Sequence, residues 1–212
     1  HGKRVTVEAI FESVARDAAF YEASAGGVTL SGGEPLAQPE AAVNLLRMLH
    51  EAGIHTALDT CAAASRRVMN AALAHADLIL LDMKTTDPKR HLDYTGVPFD
   101  RVAAAADCIN AAQIPVWVRT PVIPGYTDDE ENIRGVSRFI AERRKHCERH
   151  ELLAFSNLCE SKYLQLDRPF PLAGAPLLDA SAMARLCDLA LDSGSRHVHW
   201  SGPMRVVEGT PK

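Results

Sequence analysis

The chain has no two cysteines close together. Its five, Cys61, Cys108, Cys147, Cys159 and Cys187, are scattered over 212 residues. Such spacing offers neither a zinc site nor a thiolate-bound metal cluster, and the odd count argues against a disulfide framework. Reduced, mostly packed thiols and a cytoplasmic location are expected. Long apolar runs are also lacking. No uncharged stretch is long enough to span a membrane and no signal peptide is recognisable, so no membrane association is expected. Positive charge is not in surplus either: Lys+Arg 23 against Asp+Glu 27 gives a formal net charge of −4, which leaves no reason to expect a nucleic-acid partner. Repeats, low-complexity tracts and linkers are missing, and one domain over residues 1–212 is expected. The first residues are His1-Gly2 rather than Met, so the chain is expected to be processed, tagged or cut from something longer.

What is present is a regular alternation of strand and helix patterns. Helical periodicity covers Val7 to Ser24, and a short strand follows at Val28–Ser31. A helix from Pro39 to Ala52, closed by Gly53, leads to a strand at His55–Thr60. Ser65 is placed to cap a helix that runs to His75. Leu78–Lys84 is a nearly continuous apolar strand, as expected when both faces are covered. Asp87-Pro88 opens a short helix, Asp100 to Ala112 reads as another, and Val116–Ile123 is a strand ending at Pro124-Gly125. Thr127-Asp128-Asp129-Glu130 has capping-box spacing and predicts a helix reaching His150. Leu152–Ser156 and His197–Trp200 are the last strands, separated by a loop at Asp167–Leu178 and a helix over Ser181–Asp192. Repeated strand–helix units with short connections predict an α/β fold on a parallel sheet, wound as an open layer or a barrel.

In such folds ligands sit at the carboxyl ends of the strands, and polar residues collect there. Gly27-Val28-Thr29-Leu30-Ser31-Gly32-Gly33-Glu34-Pro35 is a β-branched strand that stops at two glycines, a carboxylate and a proline. Without Cβ atoms, Gly32 and Gly33 let a ligand touch the main chain, and Glu34 adds negative charge at the same lip. The arrangement suits a small cationic group such as an α-ammonium; a ligand-free strand-to-helix turn is the alternative. The next strands contribute Asp59 and Thr60, then Asp82 and Lys84 on one face, then Arg119, then Ser156-Asn157. A charge inside an apolar strand is costly unless it is paired or meets a ligand, so Asp82 and Lys84 form an ion pair, a binding site, or both. Together these groups suit a zwitterionic amino acid joined to a sugar.

Those segments resemble the radical S-adenosylmethionine (SAM) enzymes that activate glycyl radical enzymes. The blocks that carry the resemblance are Gly26 to Pro35, Gly53 to Thr60, Asp77 to Lys84 and Val116 to Asp129, and the likeness spans about Lys3 to Tyr163. It implies a partial, TIM-like (β/α)6-type barrel of the radical SAM class. A [4Fe–4S] cluster held by three cysteines would bind SAM, and one electron would cleave SAM to a 5′-deoxyadenosyl radical. That radical would take hydrogen from a glycine of a partner glycyl radical enzyme, with a flavodoxin- or ferredoxin-type electron donor. By the same resemblance Gly32, Gly33 and Glu34 would hold the methionyl ammonium, Asp82, Met83 and Lys84 would line the SAM site, and Arg119 would support its wall. Asp59, Thr60 and Asp82 match positions that hold a monovalent cation.

Two departures stand out. The Cys-x-x-x-Cys-x-x-Cys motif that would bind the cluster is absent, so a truncated chain lacking the first strand and the cluster loop is expected, without the cluster and inactive by itself. At the fifth strand the SAM-contacting histidine of the resemblance is replaced within Phe155-Ser156-Asn157-Leu158-Cys159, where Ser156 is the remaining donor; His197 and His199 read as core or surface residues. Other readings stay open: radical SAM chemistry on a small molecule, a Schiff-base lyase with Lys84 as the amine nucleophile, or a non-catalytic scaffold that offers its barrel mouth to a partner.

Overall fold

The structure, a computed structural model, describes residues 3–143 and 146–205; the His1-Gly2 start lies outside the described residues. Six strands form one parallel sheet in chain order: β1 (Val28–Leu30), β2 (Thr56–Thr60), β3 (Leu78–Asp82), β4 (Val116–Val122), β5 (Cys147–Ala154) and β6 (Val198–Ser201). The helices are α1 (Val7–Ala15), α2 (Ala18–Ser24), α3 (Pro39–Glu51), α4 (Arg66–Leu73), α5 (Pro88–Thr95), α6 (Phe99–Ala112), α7 (Glu130–Arg143), α8 (Glu160–Gln165) and α9 (Ala180–Asp192). This is a partial α/β barrel. Each strand pairs with the next in the chain, so every carboxyl end faces the same rim.

The two faces of the sheet have opposite chemistry, set by the period-two alternation of each strand. Leu58, Ile79, Leu81, Val116, Val118 and Leu152 are buried on one face, against a core that takes in Leu46 and Leu49 of α3, Met69 of α4 and Ile109 of α6. A second cluster, with Met183 and Leu186 of α9, covers the β4–β6 end. The other face is concave and only half-buried, and it carries Asp59, Asp82, Trp117, Arg119, Arg149 and Glu151. Covering only one face of the sheet with helices leaves an open trough lined by charge.

Several boundaries differ from the sequence expectation. The Val7–Ser24 helix breaks at Arg16-Asp17 into α1 and α2. The helix expected to reach His150 ends at Arg143 and β5 begins at Cys147; residues 144–145 of that expected helix lie outside the described residues. His150, Leu152 and Ala154 alternate inward while Arg149 and Glu151 face the trough, a strand pattern that the charged composition disguises. Thr127 does not cap α7. Its hydroxyl donates to the Pro121 carbonyl at 2.6 Å and accepts from the Ile123 amide, and Asp129 takes the Asn132 amide instead. A short α8 lies where no helix was expected. Ser65 and Asp87 do act as N-caps.

Two constraints fix strand placement. A Cβ on Gly27 would lie 2.0 Å from the His55 carbonyl oxygen, the oxygen that accepts from Val28 N at 2.9 Å, so only glycine lets β1 start this close to β2. At the far end His150 is fully buried between Thr120 Oγ1, 3.1 Å from Nε2, and Ser195 Oγ, 2.9 Å from Nδ1. Burial pushes this imidazole down to about 4. The unfolded chain, with an ordinary histidine near ~6.5, takes up the proton first. Stability is therefore whole above that value and falls as the pH drops from ~6.5 toward ~4. Urea denaturation at stepped pH should show this loss approaching ~1.4 kcal/mol per pH unit at its steepest, and His150→Gln should flatten it. Equal slopes for the two proteins would remove the assignment.

Candidate functional site

The lip at the end of β1 is built from main chain. Gly32 has φ +128°, a conformation that side chains of L residues rarely adopt, and a Cβ at Gly32 or Gly33 would meet nothing within 4 Å. The backbone here is bare and faces open space. Glu34 follows in extended conformation and caps the 3-10 turn Pro35–Ala37 through Leu36 N at 3.0 Å. The same carboxylate accepts from Thr60 Oγ1 and from Cys61 N, each at 2.8 Å. Thr60 Oγ1 in turn accepts from Ala62 N at 2.9 Å. Glu34 therefore stitches the end of β1 to the end of β2 and remains half-buried at the lip.

Beside the lip a ladder of charge crosses four strands. Ser31 Oγ donates to Asp59 Oδ2 at 2.8 Å. Arg119 Nη2 donates both to Asp59 Oδ1 and, at 3.0 Å, to Asp82 Oδ1. Lys84 Nζ lies 3.5 Å from Asp82 Oδ2. Register explains the meeting: Asp82 and Arg119 are direct neighbours across β3 and β4, and the Arg119 carbonyl accepts from Met83 N at 2.9 Å. Partial burial works against the charged guanidinium, but Asp82 and Asp59 together outweigh it, so its already high affinity for the proton rises further.

Next to the ladder is a cleft of about 550 Å³ whose lining includes Cys61, Asp82, Lys84, Tyr94, Tyr126 and Tyr163. Tyr94 and Tyr126 meet edge to face at 5.3 Å, and Arg90 bonds Asp129 and the Tyr126 carbonyl, holding α5 against the loop after β4. On the opposite wall Tyr163 packs against Phe170 at 5.0 Å, and Phe170 stacks on Phe155. Sequence reasoning missed these aromatics. Their signal was weak: Tyr94 stands in the last turn of a short helix ahead of Gly96, and Tyr126 follows Gly125 in a loop.

Of the expected site residues, Gly32, Gly33, Glu34, Asp59, Thr60, Asp82, Lys84 and Arg119 gather at this rim. Met83 points its side chain into the core, where it is 1% exposed, and offers only main chain. Ser156 Oγ accepts from Leu158 N at 3.2 Å and caps the turn Asn157–Cys159, apart from the residues that line the cleft. His197 and His199 are exposed. The five cysteines do not converge: Cys108 and Cys187 are buried, and no three His, Cys, Asp or Glu side chains form a metal-binding group among the described residues. The donors of an iron–sulfur cluster are therefore not brought together here.

Comparison with known proteins gives a consistent result. The family model described as the Radical SAM superfamily matches residues 1–135. The chain is 40% identical over 188 residues to the isethionate sulfite-lyase activating enzyme of Nitratidesulfovibrio vulgaris, covering 88% of this chain and 60% of that protein. It is 32% identical to the pyruvate formate-lyase-activating enzyme of Staphylococcus epidermidis, over 97% of this chain and 80% of that protein. A crystal structure of a domain of pyruvate-formate lyase-activating enzyme from Bacteroides vulgatus superposes with a TM-score of 0.69 at 26% identity, covering 84% of this chain and 99% of that one. The chain spans about 60% of the length of the first of these curated relatives.

The stitch made by Glu34 has a measurable consequence. Glu34→Ala leaves the Thr60 hydroxyl and the Leu36 and Cys61 amides without their acceptor, and should lower unfolding free energy by roughly 1–3 kcal/mol. Chemical denaturation with fluorescence detection measures this, and an unchanged midpoint would mean that the three donors find other partners.

Proposed function

The chain belongs to the radical SAM superfamily, among the activating enzymes of glycyl radical enzymes, and from that premise we propose that its rim binds SAM for hydrogen abstraction from a glycine of a partner enzyme. The observation that carries the reading is the bare glycine lip set beside a charge-balanced ladder. A SAM molecule presents an ammonium, a carboxylate, a sulfonium and a nucleoside, and the rim offers a partner for each kind of group. Main-chain carbonyls at Gly32 and Gly33, with the remaining lone pairs of Glu34, suit the ammonium. Lys84, one-third exposed at the cleft edge, suits the carboxylate. The half-buried aspartates suit ribose hydroxyls, and the tyrosine-lined cleft has room for an aromatic base.

Together with a reduced [4Fe–4S] cluster, SAM supplies hydrogen-atom abstraction from an unreactive C–H bond. This chain's residues do not supply the cysteine set for the cluster, so their part is recognition: to hold the amino-acid end, to keep the rim's charges balanced and to wall the nucleoside from water. Arg119 supports this by fixing the two aspartates rather than by reaching the ligand alone. Ser156, whose hydroxyl oxygen accepts from Leu158 N in its own turn while its O–H can still donate, is the weakest member of the proposed set because it does not line the cleft.

Residues 1–212 are taken as one domain of this kind, a radical SAM partial barrel. Its partners in this reading are a glycyl radical enzyme and a flavodoxin- or ferredoxin-type electron donor. A cytoplasmic setting accords with the free thiols, and no helix among the described residues is long and apolar enough to cross a membrane. The relatives favour this reading over a Schiff-base lyase, and Lys84 stands as the charge partner of Asp82 rather than alone in an apolar pocket.

The test uses the chain with whatever sequence precedes it in its gene, reconstituted anaerobically with iron and sulfide. Under reductant it should convert SAM to methionine and 5′-deoxyadenosine. Lys84→Ala should weaken SAM binding about tenfold, ~1.4 kcal/mol. Loss of SAM cleavage in an iron-loaded protein, or unchanged affinity in the variant, would overturn the site assignment.

A further inference from the structure

The resemblance expects a monovalent cation at Asp59, Thr60 and Asp82, and the donors at those positions do not fit one. We propose that the Arg119 guanidinium is the built-in counter-cation of this rim, standing where a potassium or sodium ion would bridge the two aspartates, so that the protein binds no free monovalent cation there.

Three observations carry this. First, each oxygen that an ion would bridge already faces a positive or donor group: Arg119 Nη2 donates to Asp59 Oδ1 and to Asp82 Oδ1, while Asp59 Oδ2 accepts from Ser31 and Asp82 Oδ2 faces Lys84. Second, Asp59 and Asp82 are balanced within the ladder by one guanidinium and one ammonium, while Glu34, the third carboxylate at the rim, is engaged by Leu36 N, Thr60 Oγ1 and Cys61 N. The two aspartates therefore have no net charge left to draw a further cation, and a guanidinium stays charged at every working pH. Third, Thr60 is unsuited as a ligand beside Asp59. Successive strand side chains point to opposite faces, and the Thr60 hydroxyl is buried, donating to Glu34 and accepting from Ala62 N. Arg119 is also held in place: it lies within β4, opposite Asp82 in register.

The inference concerns the same rim as the SAM reading, yet its test needs no SAM, so either can fail without the other. Thermal unfolding of the chain is followed in potassium, sodium and choline chloride at equal ionic strength. The wild-type midpoints should coincide across the three salts. In Arg119→Gln the two carboxylates lose their bridge, and potassium or sodium should stabilise the variant saturably where choline does not. A specific, saturable shift of the wild-type protein by potassium or sodium would overturn the proposal, as would a folded Arg119→Gln that ignores the cation. Should that variant not fold, the conservative Arg119→Lys serves. It keeps the charge and, like Nη2, its ammonium can donate to both aspartates, so it should stay indifferent to potassium, and a specific, saturable potassium response would count against the counter-cation role.

Discussion

Three strands of this sheet end on a single guanidinium. Arg119 on β4 reaches Asp82 on β3 and Asp59 on β2, and Asp59 extends the contact to Ser31 beyond β1. The rest of the rim follows from that bridge. Removing charges from water is costly unless each meets a partner with good geometry, and an arginine at the right register position satisfies two carboxylates at once. Without it, two aspartates on neighbouring strands would repel across the sheet. With it, the carboxyl ends of β2, β3 and β4 are held at fixed spacing, and the glycine lip of β1 is held against them.

That rim is possible because the sheet divides its labour between faces. Aliphatic side chains from all six strands or their flanking helices fill the outer core, and the concave face is left for polar groups. A partial barrel keeps this face accessible, where a closed small barrel would fill it with side chains. The charges on the trough are therefore half-exposed rather than sealed. Arg149 extends the same logic below the rim: it pairs with Glu151 at 3.2 Å and lies over the Trp117 ring at 5.0 Å.

Much of this was legible before any coordinates. The apolar run Leu78–Lys84 announced a strand, although it ends at Asp82 and only the face of Ile79 and Leu81 is buried where both were expected to be covered, and Asp82 and Lys84 announced a pair. The Gly32-Gly33-Glu34 run announced bare main chain and a carboxylate at the end of β1, suited to a ligand lip or to a ligand-free turn. What sequence could not give was contact between distant segments. Nothing local says that Arg119 meets Asp59, or that Glu34 is bonded to Thr60 and Cys61. Local pattern also misled where composition and geometry disagree. The stretch Cys147–Glu151 is rich in charge and reads as a solvated helix, yet in a sheet with one polar face a strand can carry such charge on alternate residues. Met83 shows the same effect of alternation: it stands between two rim residues in sequence, but its side chain turns into the core and only its main chain is left to the rim.

The division between recognition and redox chemistry is the last consequence of this arrangement. Everything the described residues bring to the rim is a hydrogen-bonding or charged group, and none of the five thiols points to a shared centre. Cys61 comes nearest. Its amide is held by Glu34, and burial followed by the Glu34 side chain pushes its thiol up, away from the thiolate that a metal requires. The rim's polar groups are instead spent on one another: Asp59 and Asp82 on Arg119 and Lys84, and Glu34 on Leu36, Thr60 and Cys61.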